Sequence, residues 1–323
     1  MTSVPPGDDL VQTFNVESLG ARGRLVRLGA VAESVIGGHD YPELVAGLLG
    51  EMLALAAALA AALRFEGVFS VQTKGDGPVS MLVADITSDR DMRGYAAYDE
   101  GRLDEVAAAA AERGATPGGV SAPRLLGAGH MAFTVDQGAA SDRHQGIVEL
   151  DGATVAEIAH QYFRRSEPIE TGIRLAAGRS PNGDGRALWR AGALVLQHVA
   201  LDAKGGDDAR SPDPPWDEEE EENWRRAMVL MGSLRDGELL DPRLTPEDLL
   251  SRLFHEERVR VFRPKPLHYS CRCSEERVER VLASLPRDEM ESLKIEGEVV
   301  VTCQFCNARY SFDDAALAAL YEA

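Results

Sequence analysis

The sequence predicts an α+β protein in three parts, and three observations carry that expectation. Short strands and helices interleave over residues 1–202 without the regular strand–helix–strand beat of a doubly wound sheet. Composition then shifts, over 203–262, to an acidic and proline-bearing stretch that runs into amphipathic helices. All four cysteines of the 323-residue chain fall at or beyond position 271, inside a last part spanning 263–323. The expected architecture is therefore a mixed α/β N-terminal domain, a helical linker and a small C-terminal four-cysteine domain.

In chain order, Met1–Leu10 shows no basic stretch followed by an apolar run, so no secretory signal is expected. Leu44–Leu63 is rich in Leu and Ala but carries Glu51, Gly47 and Gly50. A membrane span wants about 20 predominantly apolar residues with few or no charges, so a buried core helix is the expected reading, in a soluble, cytoplasmic protein. Val68–Gln72 and Val79–Asp85 read as strands joined through Lys74-Gly75-Asp76-Gly77-Pro78, a turn built from residues that tolerate or fix unusual φ. That turn lacks the Lys-Ser/Thr pair and following helix of a phosphate-cradling loop. Residues 104–120, rich in Ala and Gly, suggest a short helix and a loop. His130–Asp136 and Ala193–Val199 read as strands, and Thr154–Arg165 as a helix with Val155, Ile158, Tyr162 and Phe163 near helical spacing.

From Asp202 to Glu222, glycines, prolines 212, 214 and 215 and the acid run 217–222 suggest a solvated linker. Beyond it Trp224, Ala227, Met228, Met231 and Leu234 share one helical face. Thr245 can cap a helix starting at Pro246, with Leu249, Leu250, Leu253 and Phe254 as its apolar stripe. Such faces must be covered or they become sticky. Two readings stay open: a helical pair docked on the first domain, or a conditional surface for other proteins, to which methionines are suited.

Cys271-Arg272-Cys273 and Cys303-Gln304-Phe305-Cys306 are separated by 29 residues. Between them Ser274 can cap a helix bearing Val278, Val281, Leu282 and Leu285 and ended by Pro286, and Glu298–Thr302 reads as a strand. Asn307 tolerates the left-handed conformation needed after the second pair; Ala308–Phe312 returns as a strand, and Asp313 caps a last helix with Leu317 and Leu320. Strand, two-cysteine turn and returning strand make half of a tetrahedral thiolate site, with Cys271 and Cys273 as the other half. One zinc ion fits, since it accepts four thiolates without a geometric demand of its own; the spacing matches none of the common iron–sulfur runs. His255 and His268 lie nearby, but four thiolates already fill the shell. What the metal does stays open: most four-cysteine sites are structural, yet thiolates are the form oxidants attack, and each pair is close enough to close its own disulfide. A thioredoxin-like exchange pair would open a helix, whereas this one follows a strand.

The same residues resemble a known family. Arg252-Leu253-Phe254-His255-Glu256-Glu257, Val259-Arg260-Val261-Phe262, Cys271-Arg272-Cys273 and Val301-Thr302-Cys303-Gln304-Phe305-Cys306 are similar to the heat-shock-protein-33 family of redox-regulated chaperones. The likeness extends through Tyr162–Glu167, Gln145–Val148, Thr87–Asp89 and Gly75–Pro78, nearly the whole chain and in the family's order. It implies that reduced Cys271, Cys273, Cys303 and Cys306 bind zinc while the chaperone is idle. Oxidation is implied to give disulfides Cys271–Cys273 and Cys303–Cys306, to free the metal and to unfold the linker. The oxidised protein, as a homodimer, then binds unfolding clients without ATP during oxidative stress, and it is not an enzyme. Glu167-Pro168-Ile169-Glu170 and the dense acid run depart from the family's pattern.

Charge excludes other classes. A net charge of −19 disfavours nucleic acid and anionic membranes as partners, because phosphate binding needs a clustered positive field. Residues 265–323 alone carry seven Lys/Arg against eleven Asp/Glu, a net of −4, which weighs against a nucleic-acid-binding zinc ribbon. The other class to be weighed is a thiol–disulfide oxidoreductase, which turns over a dithiol substrate.

Overall fold

A computed structural model describes residues 7–113, 120–137, 144–166, 169–181, 185–199 and 218–320. The chain divides into two compact units, Met1–Tyr269 and Ser270–Ala323. In chain order the first unit contains β1 (Leu10–Val16), β2 (Ala21–Leu28), α1 (Ala30–Ile36), α2 (Glu43–Ala60), β3 (Val68–Gly75), β4 (Val79–Thr87), β5 (Asp91–Tyr98), α3 (Glu100–Ala111) and α4 (Ala122–Leu126). It continues with β6 (Gly129–Asp136), β7 (His144–Glu149), α5 (Val155–Ser166), β8 (Thr171–Pro181), β9 (Ala187–His198), α6 (Glu218–Gly232), α7 (Asp236–Leu239) and α8 (Pro246–Leu253). Three short strands close it: β10 (Val259–Val261), β11 (Lys265–Pro266) and β12 (His268–Tyr269).

These strands form two sheets. The first runs β10-β1-β2-β9-β8, with β11 also on β1; the second runs β12-β5-β4-β3-β6-β7. Neighbours are antiparallel except β12 on β5, where His268 pairs with Asp91. Helix α2 lies between the sheets: its Leu49, Met52, Leu53 and Ala56 share one core with Val26 and Ala193 of the first sheet and Val71 and Leu82 of the second. That placement explains a membrane-like composition in a core helix, since both sides of the helix meet hydrocarbon. Among the described residues it is the one helix long and apolar enough to cross a membrane.

The first sheet is covered on its other face as well. Phe14, Leu25, Leu194 and Leu196 pack with Trp224, Ala227 and Met231 of α6, Leu239 of α7, and Leu249, Leu250 and Leu253 of α8. Burial on both faces removes the usual alternation, and β9 is buried at eight consecutive positions. Glycines make room for the covering helices. A Cβ at Gly172 would stand 2.7 Å from Met228, and one at Gly192 would stand 2.7 Å from Leu239. The amphipathic pair is thus docked on the first unit in this structure, with Thr245 accepting from the Asp248 amide at 3.1 Å to cap α8.

The docking is also polar. Arg27, almost fully buried on β2, donates to the Leu244 carbonyl at 2.6 Å and to the Asp241 carbonyl, both in the loop between α7 and α8. Asp8 offsets this buried charge at 3.7 Å and also pairs with Arg190. Neighbouring Asp9 accepts from the amides of Gly29, Ala30 and Val31 at 2.9 Å each, capping α1.

Several expectations need correction. The acid run does not stay a linker throughout: Glu218–Glu221 form the first turn of α6, where carboxylates complement the helix's positive N-terminal end. The part of that expectation over 202–217 lies outside the described residues, as do Glu167 and Pro168. Segment 263–269, grouped from sequence with the tail, pairs here with β1 and β5 of the first unit.

The second unit holds α9 (Glu275–Ala283), α10 (Arg287–Ser292), β13 (Val299–Thr302), β14 (Arg309–Phe312) and α11 (Asp314–Leu320). Its core is small: Leu282, Met290, Val299, Phe312 and Leu317. Val281, placed by spacing on the apolar stripe of α9, is 62% exposed, because so small a core leaves no second layer to cover it.

Candidate metal centre

Two loops of the second unit bring the four cysteines together. Cys271 and Cys273 precede α9, whose Ser274 cap accepts from the Arg277 amide. The Arg277 side chain reaches back to the Arg272 carbonyl at 2.6 Å and so fixes the loop between them. Cys303 and Cys306 sit in the turn joining β13 to β14. The Cys303 amide donates to the Ala308 carbonyl at 2.9 Å, and the Asn307 amide donates to the Cys303 carbonyl at 2.8 Å. Asn307 takes φ 56°, the left-handed conformation its side chain tolerates.

All four Sγ atoms lie within 4.8 Å of one another. Cys271 and Cys303 are 3.7 Å apart, and Cys273 and Cys306 are 3.3 Å apart. A tetrahedron with metal–sulfur bonds of about 2.3 Å has sulfur–sulfur edges of about 3.8 Å, so the donor set fits one zinc-sized ion. All four are unbonded thiols, half-buried. Neither His255 nor His268 belongs to this group.

The electrostatics of the cluster point the same way. Burial opposes ionisation of Cys273, but hydrogen bonds from Tyr310 and the neighbouring thiols outweigh it and hold that thiol down at about 7. Burial and the neighbouring sulfurs push Cys306 far up, and burial raises Cys303. Sulfurs packed this closely cannot all ionise unless a cation shares them.

Tyr310 is a site residue that the motif did not reveal. Its hydroxyl donates to Cys273 Sγ at 3.2 Å, and that bond pushes the phenol up to about 12. The signal was present in the strand period: Tyr310 lies on the same face of β14 as buried Phe312. The Gly75–Pro78 turn, in contrast, serves packing. Asp76 accepts from the Ala128 amide at 2.7 Å, and the Gly77 amide donates to the Leu126 carbonyl at 3.0 Å.

A mixed α/β unit whose helices cover an apolar sheet face, carried in one chain with a small unit built round four clustered thiols, defines a class of two-unit, four-thiol α+β protein. Comparison with known proteins narrows this. The family model described as Hsp33 protein matches residues 9–313. The 33 kDa chaperonin of Caulobacter vibrioides (strain NA1000 / CB15N) is 41% identical over 318 residues, covering 97% of this chain and 99% of the relative. That of Pseudomonas fluorescens (strain SBW25) is 36% identical over 318 residues, covering 98% and 94%. The solved structure of the 33 kDa chaperonin (heat shock protein 33 homolog) from Thermotoga maritima superposes with a TM-score of 0.72 at 23% identity, over 97% of this chain and 98% of that one, and shares the fold. The chain belongs to the Hsp33 family, a family of chaperones.

Proposed function

We propose that the protein is a redox-gated, ATP-independent holdase of the cytosol. The observation that carries this reading is the four-thiol cluster, placed in the chain after helices that cover an apolar sheet face and joined to them by three short strands. Cys271, Cys273, Cys303 and Cys306 would hold one zinc ion in the reduced protein. Bound zinc keeps all four sulfurs as thiolates and cross-links the two loops. The five-residue core supports a need for such a cross-link, since units below about 70–80 residues seldom fold on hydrophobic burial alone.

On oxidation, each cysteine pair gives two electrons to one hydrogen peroxide. Two thiolates and two protons are consumed, one S–S bond forms, and two waters leave. Disulfides Cys271–Cys273 and Cys303–Cys306 no longer offer thiolates to a cation, and the second unit loses what organised it. The segment 259–269 lies between α8 and Cys271 and is held by short pairings at the sheet edges. Its release frees α6–α8 and uncovers Phe14, Leu25, Leu194 and Leu196 together with the helices' apolar stripes, a surface for unfolding proteins. Joining two such surfaces gives the oxidised protein a dimer.

The test combines zinc release, thiol counting and aggregation of a denatured reporter protein. Reduced protein should carry one zinc and four thiols and leave aggregation unchanged; peroxide at mild heat should free the zinc, remove four thiols and suppress aggregation without ATP. Equal suppression in reductant and oxidant contradicts the reading.

A further inference from the structure

Glu51 is an anomaly in the fold. It is the one charged residue in the apolar stretch Leu44–Ala60 of the core helix α2. Among the described residues no donor or cation reaches its carboxylate. A half-buried carboxylate without a partner in reach is still costly, so its retention calls for a use.

The helix supplies an opening in front of it. Glu43, Gly47 and Glu51 fall four residues apart on one stripe of α2. A glycine inside a helix costs about 1 kcal/mol relative to alanine, and close packing does not explain this one: a Cβ at Gly47 would meet nothing within 4 Å. The absent side chain leaves a groove of about 200 Å³, into which Glu51 opens. Leu48, Leu125, Ala177 and Trp189 wall it with hydrocarbon, and Asp236 at the start of α7 faces Glu51 across it.

The charges around the groove are unbalanced. Glu43, Glu51 and Asp236 line it, while Arg174 pairs with Asp236 at 2.7 Å and Arg179 lies over the Trp189 ring at 5.1 Å. A hard divalent ion wants six or more oxygen ligands; three carboxylates line this groove, and that of Asp236 is already paired with Arg174. An organic cation matches both halves of the groove. We propose that it binds a primary ammonium group on a short apolar body, the ammonium on the Glu51 carboxylate and the carbon chain against Leu48, Leu125 and Trp189. Such an occupant spans α2 and the first turn of α7, and so holds the covering helices in place. Burial, with Asp236 adding to it, pushes the empty Glu51 carboxyl up to about 7; an ammonium partner relieves that strain.

Calorimetric titration of the full-length reduced protein with n-butylammonium chloride at pH 8 tests this, with sodium and magnesium chloride as controls. Saturable binding of n-butylammonium alone is the expected result. Glu51→Gln should weaken it at least tenfold, and so should Gly47→Leu, which fills the groove and leaves the acid in place. Being isosteric, the glutamine variant decides the matter should the leucine variant fail to fold. No saturable binding, equal binding of the inorganic salts, or an affinity unchanged in either folded variant overturns the proposal.

Discussion

Two residues show how this fold carries charge inside it. Arg27 meets carbonyls of the α7–α8 loop and the Asp8 carboxylate, so its charge is answered from both sides. Among the described residues Glu51 is answered by nothing, and its carboxyl is held up at about 7 by burial first and Asp236 second. The sign of the consequence follows from linkage. A carboxyl whose folded value lies above its ordinary one favours the fold most at low pH. That contribution falls as pH rises from about 4.5 to about 7 and is level above, at about 1.4 kcal/mol per unit and at most about 3 kcal/mol in all. Glu51→Gln should therefore stabilise the protein at pH 8 and change little at pH 5, compared with the parent by urea unfolding at each pH. A variant no more stable than the parent at pH 8 would mean that Glu51 carries no such cost.

At the scale of elements, the docking of α6–α8 rests on a few close fits. Phe254, just past α8, sits 5.9 Å from Phe14 of β1, and both are fully buried. Truncating Phe254 to alanine removes that packing and leaves a cavity, a loss of about 3–5 kcal/mol. The loss falls on the cover, while the α2 core is untouched. Under the proposed gating, Phe254→Ala is expected to suppress reporter aggregation in reductant and the parent is not; a variant no more active than the parent when reduced would show that cover docking does not gate activity.

These same helices were legible in the sequence because their stripes are regular: Trp224, Ala227, Met231 and Leu234 are buried and Met228 is half-buried against them. Cap chemistry at Thr245, Ser274 and Asp313 was equally plain. What the stripes pack against was not legible. Strands β2 and β9 are buried on both faces and so lack alternation, and Gly172 and Gly192 make sense only once Met228 and Leu239 are seen above them. Strands of two or three residues, β10 to β12, carry no periodic signal at all. At the cysteine site the gathering of the four thiols was readable from spacing, whereas Tyr310 contributes through a strand face and not through a motif.

Taken as a whole, the molecule joins a large unit with two extensive apolar cores to a small one with a single small core. Stability is thereby divided along the chain, with the thiols placed where least hydrophobic burial opposes change. The proposed conditional exposure needs this division, since a cover that never opens protects no client and one that never closes invites aggregation. Hydrogen exchange read on α6–α8, in reduced and in peroxide-oxidised protein, tests the link most directly. The account predicts slow exchange of these amides in the reduced form and a rise of at least tenfold after oxidation, while α2 stays protected. Exchange on α6–α8 that is the same in both forms, with all four thiols oxidised, would contradict it.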